Sequence, residues 1–373
     1  MGEQLTALVA AADTADDGWL RAELAQVQPY RVLAPDGHLL DGRRSTLGAE
    51  QIERMLELML LSRTFDERAT AMNRQGTFGG FAPVSGQEAC LVGSAAALDP
   101  GRDWIVPQYR ELPALVAHGY PLERLAAFSL GKTDAAQVPE GVRILPLQFS
   151  LAAHLPHAVG LAWGRRLQGH DEVVLAYVGE GATSEGDFHE ACNLAGVLRA
   201  PVVFLVQNNG WAISTPRQAQ YAARNLAVRA IGYGFDGVLV DGNDLLAVHE
   251  VTRRAVAQAL DGRGPVLIEA ETYRLVEHNM TDDPRRYQPA SELERARATD
   301  PLIRVRRHLR ALGRLDEERE AGLHRRADER VTAAIARART LPAQRPGDLF
   351  DHVYASPPPS VERQRRLAEE GDG

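Results

Sequence analysis

VVLAYVGEGATSEGDFHEACNLAGVLRAPVVFLVQNNGWAIS, residues 173–214, decides the fold. Val173 to Val178 is a short apolar run closed by glycine, and Pro201 to Val206 is a second. Runs without polar alternation mark strands buried on both faces, as in parallel sheets covered by helices. Between them, Asp187 to Leu198 sets Phe188, Ala191, Leu194, Ala195 and Leu198 on one side of a helix. Further on, the pattern predicts helix at Asn225 to Ile231, strand at Gly237 to Val240, helix at Leu245 to Leu260 and strand at Pro265 to Ala270. This alternation predicts an α/β fold with a mainly parallel sheet flanked by helices. Ligands bind such sheets beyond the carboxyl ends of the strands. The chemistry is therefore expected just after Val178, Val206, Val240 and Ala270.

Upstream, Glu50 to Arg74 repeats apolar residues at a period near 3.6 and stops at Gly76, an amphipathic helix. Tyr30 to Leu40 carries the Pro-Asp-Gly turn of a short hairpin. Phe78 to Gly86 is a glycine-rich loop, and Gln87 to Leu98 a small-residue helix suited to close packing, including against a partner. From Asp300 arginine-rich helical stretches run to about Arg339, with acidic residues interleaved as on a solvated face or an interface. The division expected is an extension at 1–45, an α/β domain at 46–299 and a helical appendage and tail at 300–373.

The 373 residues are 45% hydrophobic and 25% charged, an ordinary globular balance with a net charge of −8. That charge argues against a bulk-electrostatic nucleic-acid binder. No run approaches a membrane span, no secretory leader is evident, and Cys90 and Cys192 are too few for a disulfide framework, which together suggest a cytoplasmic protein. Gly232 to Gly237 matches the dinucleotide fingerprint, but it follows a helix and precedes a strand, the reverse of the required order. His154 and His157 read as capping or core-packing residues, and His189, on the helix after the Glu180 loop, as a residue that supports that loop or serves structure alone.

Glu180 lies between Gly179 and Gly181, where backbone can approach a ligand closely. A carboxylate there repels a bare phosphate unless a cation lies between, which points to a hard metal ion. The same loop could simply cap the next helix through Ser184 and Glu185. Asn208-Asn209-Gly210 offers neutral oxygen ligands, or an ordinary turn. Twenty-six residues separate Gly181 from Asn208, enough for one helix and one strand, so both loops can emerge on one edge of the sheet.

Glu180 and Asn209 at this distance resemble the thiamine diphosphate motif, Gly-Asp-Gly followed by Asn-Asn. The surrounding sequence resembles the alpha subunit of the decarboxylating component of 2-oxo acid dehydrogenase complexes, the pyruvate and branched-chain 2-oxo acid dehydrogenases. RTFDERATAMNRQG (63–76), GQEACLVGSAAAL (86–98), PQYRELPALVAHGYPLERL (107–125) and TYRLVEHNMTDDPRRY (272–287) extend the resemblance over about residues 30–355. It implies a thiamine diphosphate-binding fold with helical extensions at both ends. It implies Mg²⁺ ligands at Glu180, Asn209 and the carbonyl of Trp211. Diphosphate contacts fall on Gln108, Tyr109, Arg110, His278 and nearby Arg274, with backbone amides from Gly181 and Ala182. Phe149 to Leu151 aligns with the stretch whose main chain holds the aminopyrimidine. His278 is the implied catalytic group. The implied reaction decarboxylates a 2-oxo acid and reductively acylates the lipoyl group of an acyltransferase component. The implied assembly is an α₂β₂ heterotetramer with a separate beta subunit. Pyruvate is favoured over branched-chain 2-oxo acids; an acetoin dehydrogenase subunit and a catalytically silent scaffold are the alternatives. Two departures stand out: Glu180 replaces the motif aspartate, and Asn279 stands where regulated members carry a phosphorylatable serine.

Overall fold

The computed structural model describes residues 28–351 and 353–371, so residues 1–27 of the extension expected at 1–45 lie outside the described residues. Five strands form one all-parallel sheet: β1 (Trp104–Val106), β2 (Val174–Gly179), β3 (Val202–Asn208), β4 (Asp236–Asp241) and β5 (Val266–Glu271), in the order β1-β2-β3-β5-β4. The helices, in chain order, are α1 (Ala49–Arg74), α2 (Glu88–Ala95), α3 (Leu112–Ala117), α4 (Leu122–Ser129), α5 (His154–Leu167), α6 (Gly186–Leu198), α7 (Arg229–Gly232), α8 (Leu245–Leu260), α9 (Ala290–Ala298), α10 (Pro301–Ala311), α11 (Glu317–Thr340) and α12 (Pro359–Glu370).

The apolar strands bury both faces. Leu175 and Tyr177 of β2, with Val203 and Leu205 of β3, pack under α1, α2 and α8. Their neighbours Val174, Ala176, Val178, Phe204 and Val206 pack on the other face against α5 and α6. The small residues of α2 serve this packing: a Cβ at Gly93 would lie 2.9 Å from the Leu245 carbonyl oxygen. Every residue of α2 is buried within the chain, which corrects the expectation that this helix meets a partner.

The chain departs from expectation in two further places. Helix was expected over Asn225 to Ile231, but it spans only Arg229–Gly232. The amides of Leu226 and Ala227 donate instead to the buried Glu269 carboxylate on β5, and Asn225 Oδ1 accepts from Val228 N at 3.1 Å. The hairpin at Tyr30 to Leu40 reduces to one bridge, Leu33 to Leu39, while Tyr30 pairs with Val240 of β4. The cause is Asp244, whose Oδ2 accepts from Val32 N at 2.7 Å and Leu33 N at 2.6 Å. Its Oδ1 caps α8 through Leu246 N and Ala247 N, both at 3.1 Å. Strand β1 and helices α3 and α4 have no counterpart in the pattern read from the sequence.

The C-terminal helices share the core. Leu302, Val305 and Leu309 of α10 and Leu323 and Ala327 of α11 join the cluster around α1 and α8. Lys132, the sequence's one lysine, donates from Nζ to the carbonyls of Arg339, at 2.9 Å, and Leu341, closing the end of α11. Arg304, 2% exposed, donates from both Nη atoms to Asp241 Oδ2 at 3.1 Å, and Arg31 Nε reaches the same oxygen at 2.8 Å. Removing that carboxylate leaves a buried guanidinium without a counter-charge. Asp241→Ala is therefore expected to lower stability by about 3 kcal/mol in denaturant unfolding, and a loss below about 1 kcal/mol would contradict this role for the pair.

Candidate active site

The carboxyl ends of β1, β2, β3 and β5 release their loops on one edge of the sheet, and a cavity of about 170 Å³ lies among them. Gln108, Tyr109 and Arg110 follow β1; Glu180, Gly181 and Ala182 follow β2; Asn209 and Trp211 follow β3; His278 follows β5; Leu151 precedes α5. All of these line the cavity. Arg274 and Phe149 do not line it, though both belong to its surroundings.

The turn after β2 is shaped by its glycines. A Cβ on Gly181 would stand 2.5 Å from Ala212 Cβ, so backbone and loop approach as only glycine permits. Glu180 is 1% exposed. Among the described residues its Oε1 has no hydrogen-bond partner, and its Oε2 meets only Asn209 N at 3.4 Å. Burial raises its carboxyl to about 7. Asn209 Oδ1 accepts from Trp211 N at 3.2 Å, and Asn209 Nδ2 donates to Gln87 Oε1 at 3.2 Å. A buried carboxylate with an orphaned oxygen beside an amide and a loop carbonyl fits a hard cation. Among the described residues no group of three His, Cys, Asp or Glu could hold a metal. A cation here would thus draw on Glu180, Asn209, the Trp211 carbonyl and oxygens of a bound cofactor.

Arg274 is fully buried and organises this loop from behind. Its Nη1 donates to the Trp211 carbonyl at 3.2 Å, and its Nη2 to the Ile213 carbonyl at 2.8 Å and to Tyr287 Oη at 2.5 Å. A carbonyl has two lone pairs, so the Trp211 oxygen can serve arginine and cation together. Ile213 holds a left-handed φ of 55°, which a β-branched residue adopts only under constraint.

His278 is the pivot of the opposite wall. Arg110 Nη2 donates to its Nδ1 and to its carbonyl oxygen, both at 3.1 Å, and Arg274 Nη1 approaches Nδ1 at 3.4 Å. Guanidinium has no acceptor, so Nδ1 carries a lone pair and the ring proton sits on Nε2. Burial, then Arg110 and Arg274, holds the imidazole down at about 4, so the ring is neutral near pH 7. Tyr109 packs edge-on to His278 with centroids 6.3 Å apart and stacks on Phe149 at 5.6 Å. Phe149 and Leu151 are 56% and 43% exposed, forming an apolar rim at the cavity mouth.

Three residues absent from the sequence-level set hold the site in place. Glu111, buried, accepts from Gln108 N at 3.1 Å and Arg110 N at 2.8 Å on one oxygen, and from Gln207 Nε2 at 2.7 Å on the other. Gln87 supports Asn209 as described. The one sequence signal for Glu111 is its place directly before the Leu-Pro start of α3, where a carboxylate can fold back on preceding amides. Outside the site, His154 Nε2 contacts the Tyr177 carbonyl oxygen at 2.6 Å and His157 Nδ1 that of Ala153 at 2.9 Å, both local packing contacts.

Residues 56–347 match the family described as dehydrogenase E1 component. The chain is 38% identical over 348 residues to the pyruvate dehydrogenase E1 component subunit alpha of Staphylococcus epidermidis, covering 93% of this chain and 94% of that one. It is 39% identical over 322 residues to the same subunit of Staphylococcus aureus, with 86% and 87% covered. To that of Bacillus cereus it is 37% identical over 356 residues, with 95% and 96% covered. With the parallel sheet and the loops gathered at its edge, these matches place the chain in the dehydrogenase E1 component family, as a 2-oxo acid dehydrogenase component of the thiamine diphosphate-dependent kind.

Proposed function

We propose that the chain is the alpha subunit of a 2-oxo acid dehydrogenase that decarboxylates its substrate with thiamine diphosphate and Mg²⁺ and passes the acyl group to a lipoyl carrier, working as α₂β₂ with a separate beta subunit. The relatives' names support pyruvate as a substrate. The observation that carries the proposal is the orphaned, buried Glu180 oxygen in a glycine cradle, facing a cavity it shares with Arg110 and a neutral His278.

When bound, the cofactor supplies an electron sink for the pair released as carbon dioxide leaves. The chain's own residues bind and orient. Glu180, Asn209 and the Trp211 carbonyl would hold the cation that offsets the diphosphate charge. Gln108 and Tyr109, with the amides of Gly181 and Ala182, would contact phosphate oxygens. Arg110 adds charge and, through its bonds to His278, fixes the imidazole tautomer. His278 thus presents Nε2–H as a donor to a developing oxyanion. The relatives' names, subunit alpha, support a separate beta subunit as the source of the second half of the site.

Glu180→Gln and Asn209→Ala are each expected to weaken Mg²⁺-dependent thiamine diphosphate binding by at least about tenfold while the fold survives. Isothermal titration checks this, and unchanged affinity in both would refute the metal assignment. His278 should remain neutral and protonated on Nε2 from pH 8 down to about 5, because its folded pKa lies near 4. Since the unfolded ring binds its proton first, the stability tied to the neutral ring is present above about pH 6.5 and declines as pH falls. An imidazole resonance titrating near 6.5 in ¹⁵N NMR would contradict this. Purified without a partner, the chain should give no 2-oxo acid turnover, and full turnover by the lone chain would refute the shared site.

A further inference from the structure

A second cavity, of about 550 Å³, opens beside the first, and the two share Tyr109, Leu151, Ile213 and His278 in their linings. The imidazole thus stands at the junction between them. The second cavity runs inward between the glycine-rich loop and helices α1, α3 and α4, against Phe65, Phe81, Leu112, Leu125 and Phe128. Among the described residues no charged side chain lines it. Its aromatic walls are fixed by their own packing. Phe65 stands edge-on to Phe81 at 6.0 Å and to Phe78 at 6.1 Å, and Phe149 stacks on Phe128 at 5.8 Å.

This volume lies in the range of about 300–1,000 Å³ that encloses a drug-sized ligand. The side chain of pyruvate is one methyl group and would leave nearly all of it empty. Two adjacent glycines at its edge differ in what demands them. At Gly79 a Cβ would lie 2.0 Å from the Ser129 carbonyl oxygen, so glycine there is required by the neighbouring backbone. At Gly80, which lines the cavity, a Cβ would meet nothing within 4 Å, and its φ is not left-handed. Neither space nor backbone conformation demands glycine at 80. Gly80 is exposed, so a side chain there would extend into the open space at the chamber's edge.

The geometry points to a substrate side-chain chamber with Gly80 as its size determinant, admitting 2-oxo acids with a large uncharged, aryl-bearing side chain. This inference rests on the function proposed above and names the substrate class of that site. The uncharged lining disfavours substrates with a second carboxylate, which would be desolvated there without a partner. The hydrocarbon of a lipoyl arm is the other candidate occupant. The chamber's junction with the cavity at His278 favours the substrate, whose reacting carbon must lie there.

The test uses the enzyme assembled with its beta subunit and charged with thiamine diphosphate and Mg²⁺. Dye-coupled decarboxylation is compared for pyruvate, 4-methyl-2-oxopentanoate and phenylpyruvate in wild type, Gly80→Ala and Gly80→Leu. Wild type is expected to turn over phenylpyruvate with a kcat/KM within about tenfold of pyruvate or above it. Gly80→Leu is expected to lower phenylpyruvate kcat/KM at least about tenfold more than pyruvate kcat/KM. Gly80→Ala should shift the ratio the same way by less, and it carries the test if the leucine variant does not assemble. A wild-type preference for pyruvate above about a hundredfold, or equal effects on all three substrates, overturns the chamber. Loss of lipoyl acylation alone, with dye-coupled turnover unchanged, assigns the space to the lipoyl arm and overturns it as well. Turnover of none of the three by a complex that binds the cofactor overturns the function proposed above, and this inference with it.

Discussion

Neighbouring parallel strands cannot be joined by a tight turn; each connection must cross a face of the sheet and return. That constraint arranges this molecule. The crossings require helices on both faces, which explains why β2 is apolar from Val174 to Val178 and β3 from Val202 to Val206, and why Leu175 and Val174 enter different cores. It also sends every strand's carboxyl end to the same edge. Gly179 of β2 pairs with Gln207 of β3, and Asn208 with Glu271 of β5, so the three strands end within one residue of one another. Residues far apart in the chain thus meet without any long excursion of a loop.

The polar groups at that edge are organised in two layers. Glu180, Arg110 and His278 face the cavity, Glu111 lines it while anchoring the loop after β1, and Arg274 is buried behind them. The supporting layer directs its bonds largely to main-chain atoms: Glu111 to the amides of Gln108 and Arg110, Arg274 to the carbonyls of Trp211 and Ile213. Such bonds fix loop shape, leaving the facing side chains free to meet a ligand. Low dielectric then works in opposite directions on two groups. It lifts Glu180, and it depresses His278, where two guanidiniums add to the effect.

Much of this was legible because the signals were local. The runs at 173–178 and 201–206 announced buried strands, and the glycines around Glu180 announced a close approach. Local pattern failed where distant partners decide. Asn225 to Val228 has a helical composition, yet its amides answer to Glu269 some forty residues away. The Glu111 to Gln207 bond spans 96 positions and has no trace in either neighbourhood. Strand β1 has three residues between Asp103 and Pro107, too few for a period to show. The large apolar chamber was invisible for the same reason: its walls come from α1, α3, α4 and five loops, each apolar residue of which reads as ordinary core.

The backbone at Ile213 bears on how this sequence can change. A non-glycine residue in the left-handed region is destabilised by about 1–3 kcal/mol, and here the buried Arg274 holds the carbonyl of that residue in place. Glycine at 213 would relieve the strain, but it would also erase an exposed apolar side chain from the rim shared by both cavities. The substitution that eases folding is the one that reshapes the mouth of the site. Drift toward greater robustness is therefore opposed at this position by selection on the site's geometry.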